Sequence, residues 1–169
     1  MKLPDANLLL YAVNSDSSRH AAARDWLNRT LSGTETVGLA WLVLLAFVRL
    51  STRAVVVREP LGVEQALDLV DSWICRPNTT VVNPTARHGD VLRELLEPLG
   101  TAGNLTNDAH LAALAVEHGA EVCSCDVDFT RFTAWPGSTR CGTDAAAPDQ
   151  RSRPSATGAR RLALGVGEC

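Results

Sequence analysis

Apolar and polar positions along the chain switch repeatedly between extended and helical periods, the pattern of strands alternating with helices. Met1-Lys2-Leu3-Pro4 is a short apolar opening closed by Asp5, and Leu8 to Val13 continues apolar into a first helix or turn. Asn14-Ser15-Asp16-Ser17-Ser18 is a turn cluster in which Ser17 or Ser18 can cap the next helix. His20 to Leu31 carries Ala23, Trp26, Leu27 and Leu31 at helical spacing, and Gly33 ends it. Thr36 to Leu39 reads as a short buried strand. Trp41 to Thr52 reads as a helix apolar on most sides, and therefore as a central one.

Val55-Val56-Val57 leads to Pro60, and an amphipathic helix starting beside Gly62 runs from Val63 to Trp73. Thr79 to Val82 is a further strand, closed by Asn83-Pro84. Arg87 to Leu99 forms a helix with Val91, Leu92, Leu95 and Leu96 on one face. A glycine-containing loop, Gly100 to Asn104, precedes a helix from Thr106 to His118, stopped by Gly119; Ala120 to Cys125 is the fourth strand. Trp26, Trp41 and Trp73 stand among aliphatics at helical spacing and read as core. The alternation predicts an α/β fold whose mostly parallel sheet of about four strands is covered by helices on both faces.

From Thr133 the texture changes to Ala, Gly, Ser, Thr, Pro and Arg without apolar periodicity, apart from Leu162-Ala163-Leu164. The organisation expected is one domain over residues 1–132 and a disordered or loosely attached tail over 133–169.

Composition adds little beyond this: 169 residues suit one domain, and 46% hydrophobic with 21% charged is ordinary for a soluble globular protein. The ten-residue apolar run Leu39 to Val48 is too short to span a bilayer, and Met1 to Asp5 does not resemble a signal peptide, so the cytoplasm is the default. Five cysteines at irregular spacing argue against a disulfide framework. Cys123-x-Cys125 has no second pair to close a zinc site, which leaves buried free thiols. Net charge is −3: eleven basic and sixteen acidic residues through Arg131, then five arginines and three acids. No general basic footprint for nucleic acid exists, so affinity for a polyanion would need a metal ion, a partner surface or a few local arginines.

Candidate chemistry centres on carboxylates. Asp5 follows the first apolar segment, Asp108 heads an alanine-rich helix, and Asp126 ends Val122-Cys123-Ser124-Cys125-Asp126. Three aspartates distant in sequence that meet at one edge of a parallel sheet can hold a hard divalent cation. Each also has a plainer reading: Asp108 complementing a helix N-terminus, Asp5 beginning a turn, Asp126 capping one. Without metal such a cluster repels itself, so at least one of its pKa values should be raised. Asp128 either joins the cluster or caps the turn before Phe129. Asn7 and Ser124 either orient water near the carboxylates or satisfy turn and strand-end hydrogen bonds. Arg49 and Arg87 either reach RNA phosphate or lie in solvent. His110, two positions after Asp108, points to another face of its helix and reads as packing.

These residues carry a resemblance. Asp5-Ala6-Asn7-Leu8-Leu9-Leu10-Tyr11-Ala12, Gly103-Asn104-Leu105 with Asn107-Asp108-Ala109-His110-Leu111-Ala112, and Ser124-Cys125-Asp126-Val127-Asp128-Phe129 resemble PIN-domain ribonucleases, in particular VapC-type toxins of toxin–antitoxin pairs. The segment Trp41 to Leu50 looks like a mycobacterial-type branch of that family. The resemblance covers Met1 to about Phe132. It implies a PIN-like three-layer sandwich and a Mg²⁺-dependent endoribonuclease in which Mn²⁺ substitutes. It further implies a homodimer inhibited by a small cognate antitoxin. The family's acidic positions fall on Asp5, Asp108 and Asp126, with Asp128 as an additional member, and its polar supporting positions on Asn7 and Ser124.

The chain departs from that pattern in three places. The family's glutamate near Ala46 is missing, since no acidic residue lies between Glu35 and Glu59. Pro4 takes a strand position usually filled by a residue with an N–H, so strand 1 is expected to end early. The family's closing segment does not follow Phe132, and a shifted reading frame would account for the tail; an intact frame in related strains would remove that idea. One expectation is thus a toxin that hydrolyses RNA phosphodiester bonds. Its alternative is a catalytically weak or inactive PIN-like protein that binds an antitoxin or RNA. Lys2 being the sole lysine argues against a phosphatase using Asp5 as nucleophile.

Overall fold

The computed structural model describes residues 1–100 and 102–125, together with the backbone of a strand at 138–140; of Asn104 it describes the backbone alone. Strands β1 (Lys2–Pro4), β2 (Val37–Ala40), β3 (Thr79–Val82), β4 (Glu121–Ser124) and β5 (Ser138–Arg140) form one sheet in the order β3-β2-β1-β4-β5, all parallel. Between them run helices α1 (Ala6–Val13), α2 (His20–Leu31), α3 (Trp41–Ser51), α4 (Val63–Ile74), α5 (His88–Leu96) and α6 (Thr106–His118), with single 3-10 turns at Glu97–Leu99 and Gly103–Leu105. The α/β reading and most element boundaries hold to within a few residues. The four expected strands, β1 to β4, are present and parallel, and among the described residues a short β5 extends the sheet beside β4. The added β5 lies past residue 132, where the sequence shows no apolar periodicity; the rest of the expected tail falls outside the described residues.

Parallel strands need right-handed crossovers. From β1 to β2 to β3 the chain steps one way along the sheet, placing α1 to α4 on one face; returning from β3 to β4 it steps the other way, placing α5 and α6 on the opposite face. Helix packing agrees: α1 lies on α2 and α3, α3 on α4, and α5 on α6. The core fills both interlayer spaces, with Leu3, Leu39 and Val122 from the sheet meeting Leu8, Leu9, Leu44, Phe47 and Trp73 on one side and Ala112 to Leu114 on the other. Phe47 and Trp73 meet edge to face with ring centroids 4.8 Å apart. Gly38 is closely packed: a Cβ there would stand 3.0 Å from both Leu3 Cδ1 and Met1 Sδ, and these side chains would have to shift.

Pro4 acts on one side of its strand only. The Lys2 N–H donates to Thr36 O on the β2 side, and the Asp5 N–H donates to Cys123 O on the β4 side at 3.0 Å. Alternation therefore turns the Pro4 nitrogen toward β2. The β1–β2 register is accordingly confined to Lys2↔Val37, whereas β1–β4 pairing runs through Pro4↔Cys123. Strand 1 shortens toward β2 and keeps its full length toward β4.

Helix α3 is not central. Val43, Leu44 and Phe47 are buried, but Trp41 is 50% exposed and Leu45 61% exposed. Trp73 is buried as expected and Trp26 only partly so. A run apolar all round does not reveal which side the sheet covers; among the described residues α3 packs on α1, α4 and β2. Ser17 does not cap α2 from its first turn either: its Oγ accepts the Arg19 N–H at 3.2 Å, just ahead of the helix. Among the described residues no helix is long and apolar enough to cross a membrane.

Candidate functional site

In an open parallel sheet the place for a ligand is the crevice beyond the strand C-termini where the winding direction reverses. Here that point lies between β1 and β4: the chain steps from β1 to β2 to β3 in one direction and returns past β1 to β4 in the other. Asp5 follows β1 directly, and Ser124 ends β4.

Asp5 is 5% exposed. One carboxylate oxygen, Oδ1, accepts the Leu8 N–H at 2.7 Å as the N-cap of α1, and Oδ2 accepts the Ser124 hydroxyl. The strand-to-helix turn dictates the first contact: an extended residue before a helix presents its side chain to the first turn's unsatisfied donors. The second ties β1 to β4 across the crevice. The strand-end hydrogen bond read for Ser124 is therefore present, and Asp5, read more plainly as beginning a turn, caps α1 with the same carboxylate that lies at the switch point. Asn7 sits in the first turn of α1, partly buried.

Asp108 occupies the first turn of α6 and is partly exposed. Only Gly119 and Ala120 join α6 to β4, and Gly119 takes the left-handed φ of +58° that lets the chain reverse. Helix and strand must then run antiparallel, which carries the Asp108 end of α6 toward the edge where β4 delivers Ser124. Asp126 and Asp128 lie outside the described residues. Among the described residues no group of three His, Cys, Asp or Glu side chains is arranged to hold a metal ion.

The two sequence-predicted arginines sit elsewhere. Arg49 is exposed in the last turn of α3, which starts at the carboxyl edge and runs away from it, so its charge complements the helix C-terminus. Arg87 is exposed at the start of α5, beyond the edge strand β3 and two strands from β1. A third arginine, overlooked in the sequence because it stands in a turn cluster, does reach the crevice. Arg19 Nη1 donates to Cys125 O at 3.1 Å, and its guanidinium carbon lies 5.6 Å from the centroid of the Tyr11 ring. The Cys125 thiol registers this setting: burial pushes its pKa up, the Asp5 charge adds to that, and Arg19 opposes both.

A second polar group fills the α5–α6 seam. His88 Nδ1 stands 2.7 Å from Glu117 Oε2, and His88 Nε2 stands 2.8 Å from His110 Nδ1. With Glu117 ionised, His88 carries its proton on Nδ1 and accepts at Nε2 from His110. Burial pushes the His110 pKa down, and the neighbouring His88 pushes it further, against a weaker pull from Glu117. For Glu117 burial acts upward, but hydrogen bonds from Thr85 and His88 prevail and the net shift is downward. His110 thus faces α5, as its spacing from Asp108 implies.

A PIN domain model matches residues 2–134. The chain is 52% identical over 132 residues to Ribonuclease VapC37 of Mycobacterium tuberculosis, covering 78% of this chain and 92% of that protein. The chain belongs to the PIN-domain family, in its VapC branch. Ribonuclease VapC33 of the same organism is 41% identical over the same length and coverage. Among solved structures this VapC-type fold is similar to a chain of VapBC2 from Rickettsia felis bound to a DNA fragment from their promoter, with a TM-score of 0.60 and 19% identity over 82% of this chain and 97% of that one. It is also similar to VapBC-1 from nontypeable Haemophilus influenzae, with a TM-score of 0.59 and 16% identity over 83% of this chain and 97% of that one.

Proposed function

We propose that this chain is the toxin of a toxin–antitoxin pair, a cytoplasmic endoribonuclease that hydrolyses RNA phosphodiester bonds with Mg²⁺, for which Mn²⁺ substitutes. The observation that carries the reading is Asp5: a buried carboxylate at the switch point, held by the Leu8 N–H and the Ser124 hydroxyl. These two bonds fix the orientation of the Asp5 carboxylate at the crevice. All-oxygen donors on short, rigid side chains suit a hard cation. Asp5 and Asp108 would hold it, with Asp126 and Asp128 assigned from sequence. The chemistry Mg²⁺ supplies when bound is Lewis acidity, offsetting charge on the phosphate and making water more acidic. Ser124 keeps Asp5 in one rotamer, and the N-terminus of α6 adds its partial positive charge beside Asp108. No acidic side chain is present on α3, which favours one tightly held ion over two.

Two partners complete the proposal, a cognate antitoxin and a second copy of this chain. Helices α3 and α4, packed on each other, each turn an i, i+4 apolar pair to solvent: Trp41 with Leu45, and Val63 with Leu67, exposed by 62% and 48%. Apolar surface of this kind marks a contact site.

The test is cleavage of a mixed RNA pool by wild type and Asp108→Asn, in Mg²⁺ and in EDTA. Wild type should cut in Mg²⁺, stop in EDTA and recover with added Mg²⁺ or Mn²⁺. Asp108→Asn should lose more than the roughly 100-fold that loss of an outer supporting group costs. Cleavage that survives EDTA, or that Asp108→Asn leaves intact, would overturn the reading.

A further inference from the structure

We propose that Arg19 is a substrate-holding residue: its guanidinium, fixed beside the Asp5–Ser124 crevice, takes a non-bridging phosphate oxygen of the RNA. The inference rests on the ribonuclease reading above and adds to it the group that offsets the substrate's charge.

The need follows from electrostatics. The chain through Arg131 carries 16 acidic against 11 basic residues, and the site itself is built from carboxylates, so a polyanion meets repulsion unless cations are placed there. Three other basic side chains are badly sited. Lys2 is paired with Glu121 at the opposite, N-terminal edge of the sheet. Arg49 is at the far end of α3, and Arg87 lies past the edge strand.

Arg19 is the exception by geometry. Its Nη1 donates to the carbonyl of Cys125, the residue immediately after β4 and immediately before Asp126. Its guanidinium carbon stands over the Tyr11 ring, 5.6 Å from the centroid, on α1, the helix that Asp5 caps. Both contacts orient the guanidinium, and Arg19 is otherwise exposed. Among the described residues it makes no ion pair. An arginine pre-positioned in this way keeps a fork of donors for a phosphate and loses little side-chain entropy on engaging it.

A structural rival exists. Arg19 is followed by His20, whose Nδ1 lies 3.0 Å from Tyr11 O, and the two together could simply pin the start of α2 to α1. The experiment separates them. Arg19→Ala, Arg19→Lys and His20→Ala are compared with wild type for steady-state cleavage of a short single-stranded RNA. Their RNA binding is measured with Ca²⁺ in place of Mg²⁺ across a salt series, and their thermal unfolding is recorded.

Arg19→Ala should lower kcat/KM by roughly 10- to 100-fold, the worth of one charge-assisted hydrogen bond. It should also reduce the slope of log affinity against log salt by about 0.7, one phosphate contact on a single strand. Arg19→Lys should restore the slope. His20→Ala should lower the unfolding temperature with the slope unchanged. If folded Arg19→Ala keeps the wild-type slope, or loses activity only in step with its unfolding temperature, Arg19 is a structural pin and the proposal fails while the nuclease reading stands. Wild type that neither binds nor cuts RNA removes both.

Discussion

Replacing Asp5 separates its structural role from its chemical one, because the structure assigns each oxygen a partner. In Asp5→Ala the Leu8 N–H loses its cap acceptor, which costs about 1 kcal/mol. The Ser124 hydroxyl, buried with Asp5, loses its acceptor as well, a further 1–3 kcal/mol or so. The sum, about 2–4 kcal/mol, should lower the unfolding temperature by roughly 6–20 °C in a domain of this size. Asp5→Asn behaves differently. Its side-chain carbonyl still caps α1, asparagine being as good a cap as aspartate, and the Ser124 hydroxyl rotates to accept from the new amide. Stability in EDTA should therefore stay within about 1 kcal/mol of wild type, helped by relief of any carboxylate repulsion. RNA cleavage should nonetheless vanish, since an amide is a poor ligand for a hard cation. Thermal unfolding in EDTA and RNA cleavage in Mg²⁺ are measured on the same preparations. If Asp5→Asn cleaves RNA as wild type does, the carboxylate is only a cap; if Asp5→Ala unfolds at the wild-type temperature, the two hydrogen bonds carry no weight.

Two further expectations concern the seam and the surface. The His110 pKa is depressed from 6.5 by burial and by His88, so its neutral form is the one the fold stabilises. The stability it contributes is complete above that value and is lost as pH falls through the lower folded pKa, with Glu117 adding a second loss below its ordinary 4.5. The unfolding temperature should decline across mildly acid pH, and His110→Gln should flatten the decline; an unaltered slope in that variant would place the titration elsewhere. Leu45→Glu should leave unfolding within about 0.5 kcal/mol of wild type, because the side chain is exposed, yet weaken copurification with the antitoxin or dimer formation by size-exclusion chromatography. Unchanged assembly would mean that this flank of α3 is not the contact surface.

Several features of this protein were legible in residue order because they are set locally. The left-handed stop at Gly119, the alanine-rich start of α6 after Asp108, and the short β-branched run of β3 each follow from propensity and period. So does the alternation that demands a parallel sheet. Asp5, Asp108 and Ser124 were also identifiable as candidates, since strand ends and helix starts show as changes of period. Long-range placement was not legible. Whether Trp41 is core or surface depends on which side of α3 the sheet leaves open, and an all-apolar helix has no period to say so. Pro4 looked like an early end to strand 1, but its missing N–H matters only toward β2, a distinction made by strand order. Arg19 sits in a polar turn with no motif around it. Only the return of the chain between α1 and α2 to the edge where β4 ends brings its guanidinium to Cys125, and only packing of α5 on α6 lines up Glu117, His88 and His110. Contacts between residues tens to more than a hundred positions apart depend on topology, and local sequence carries no record of it.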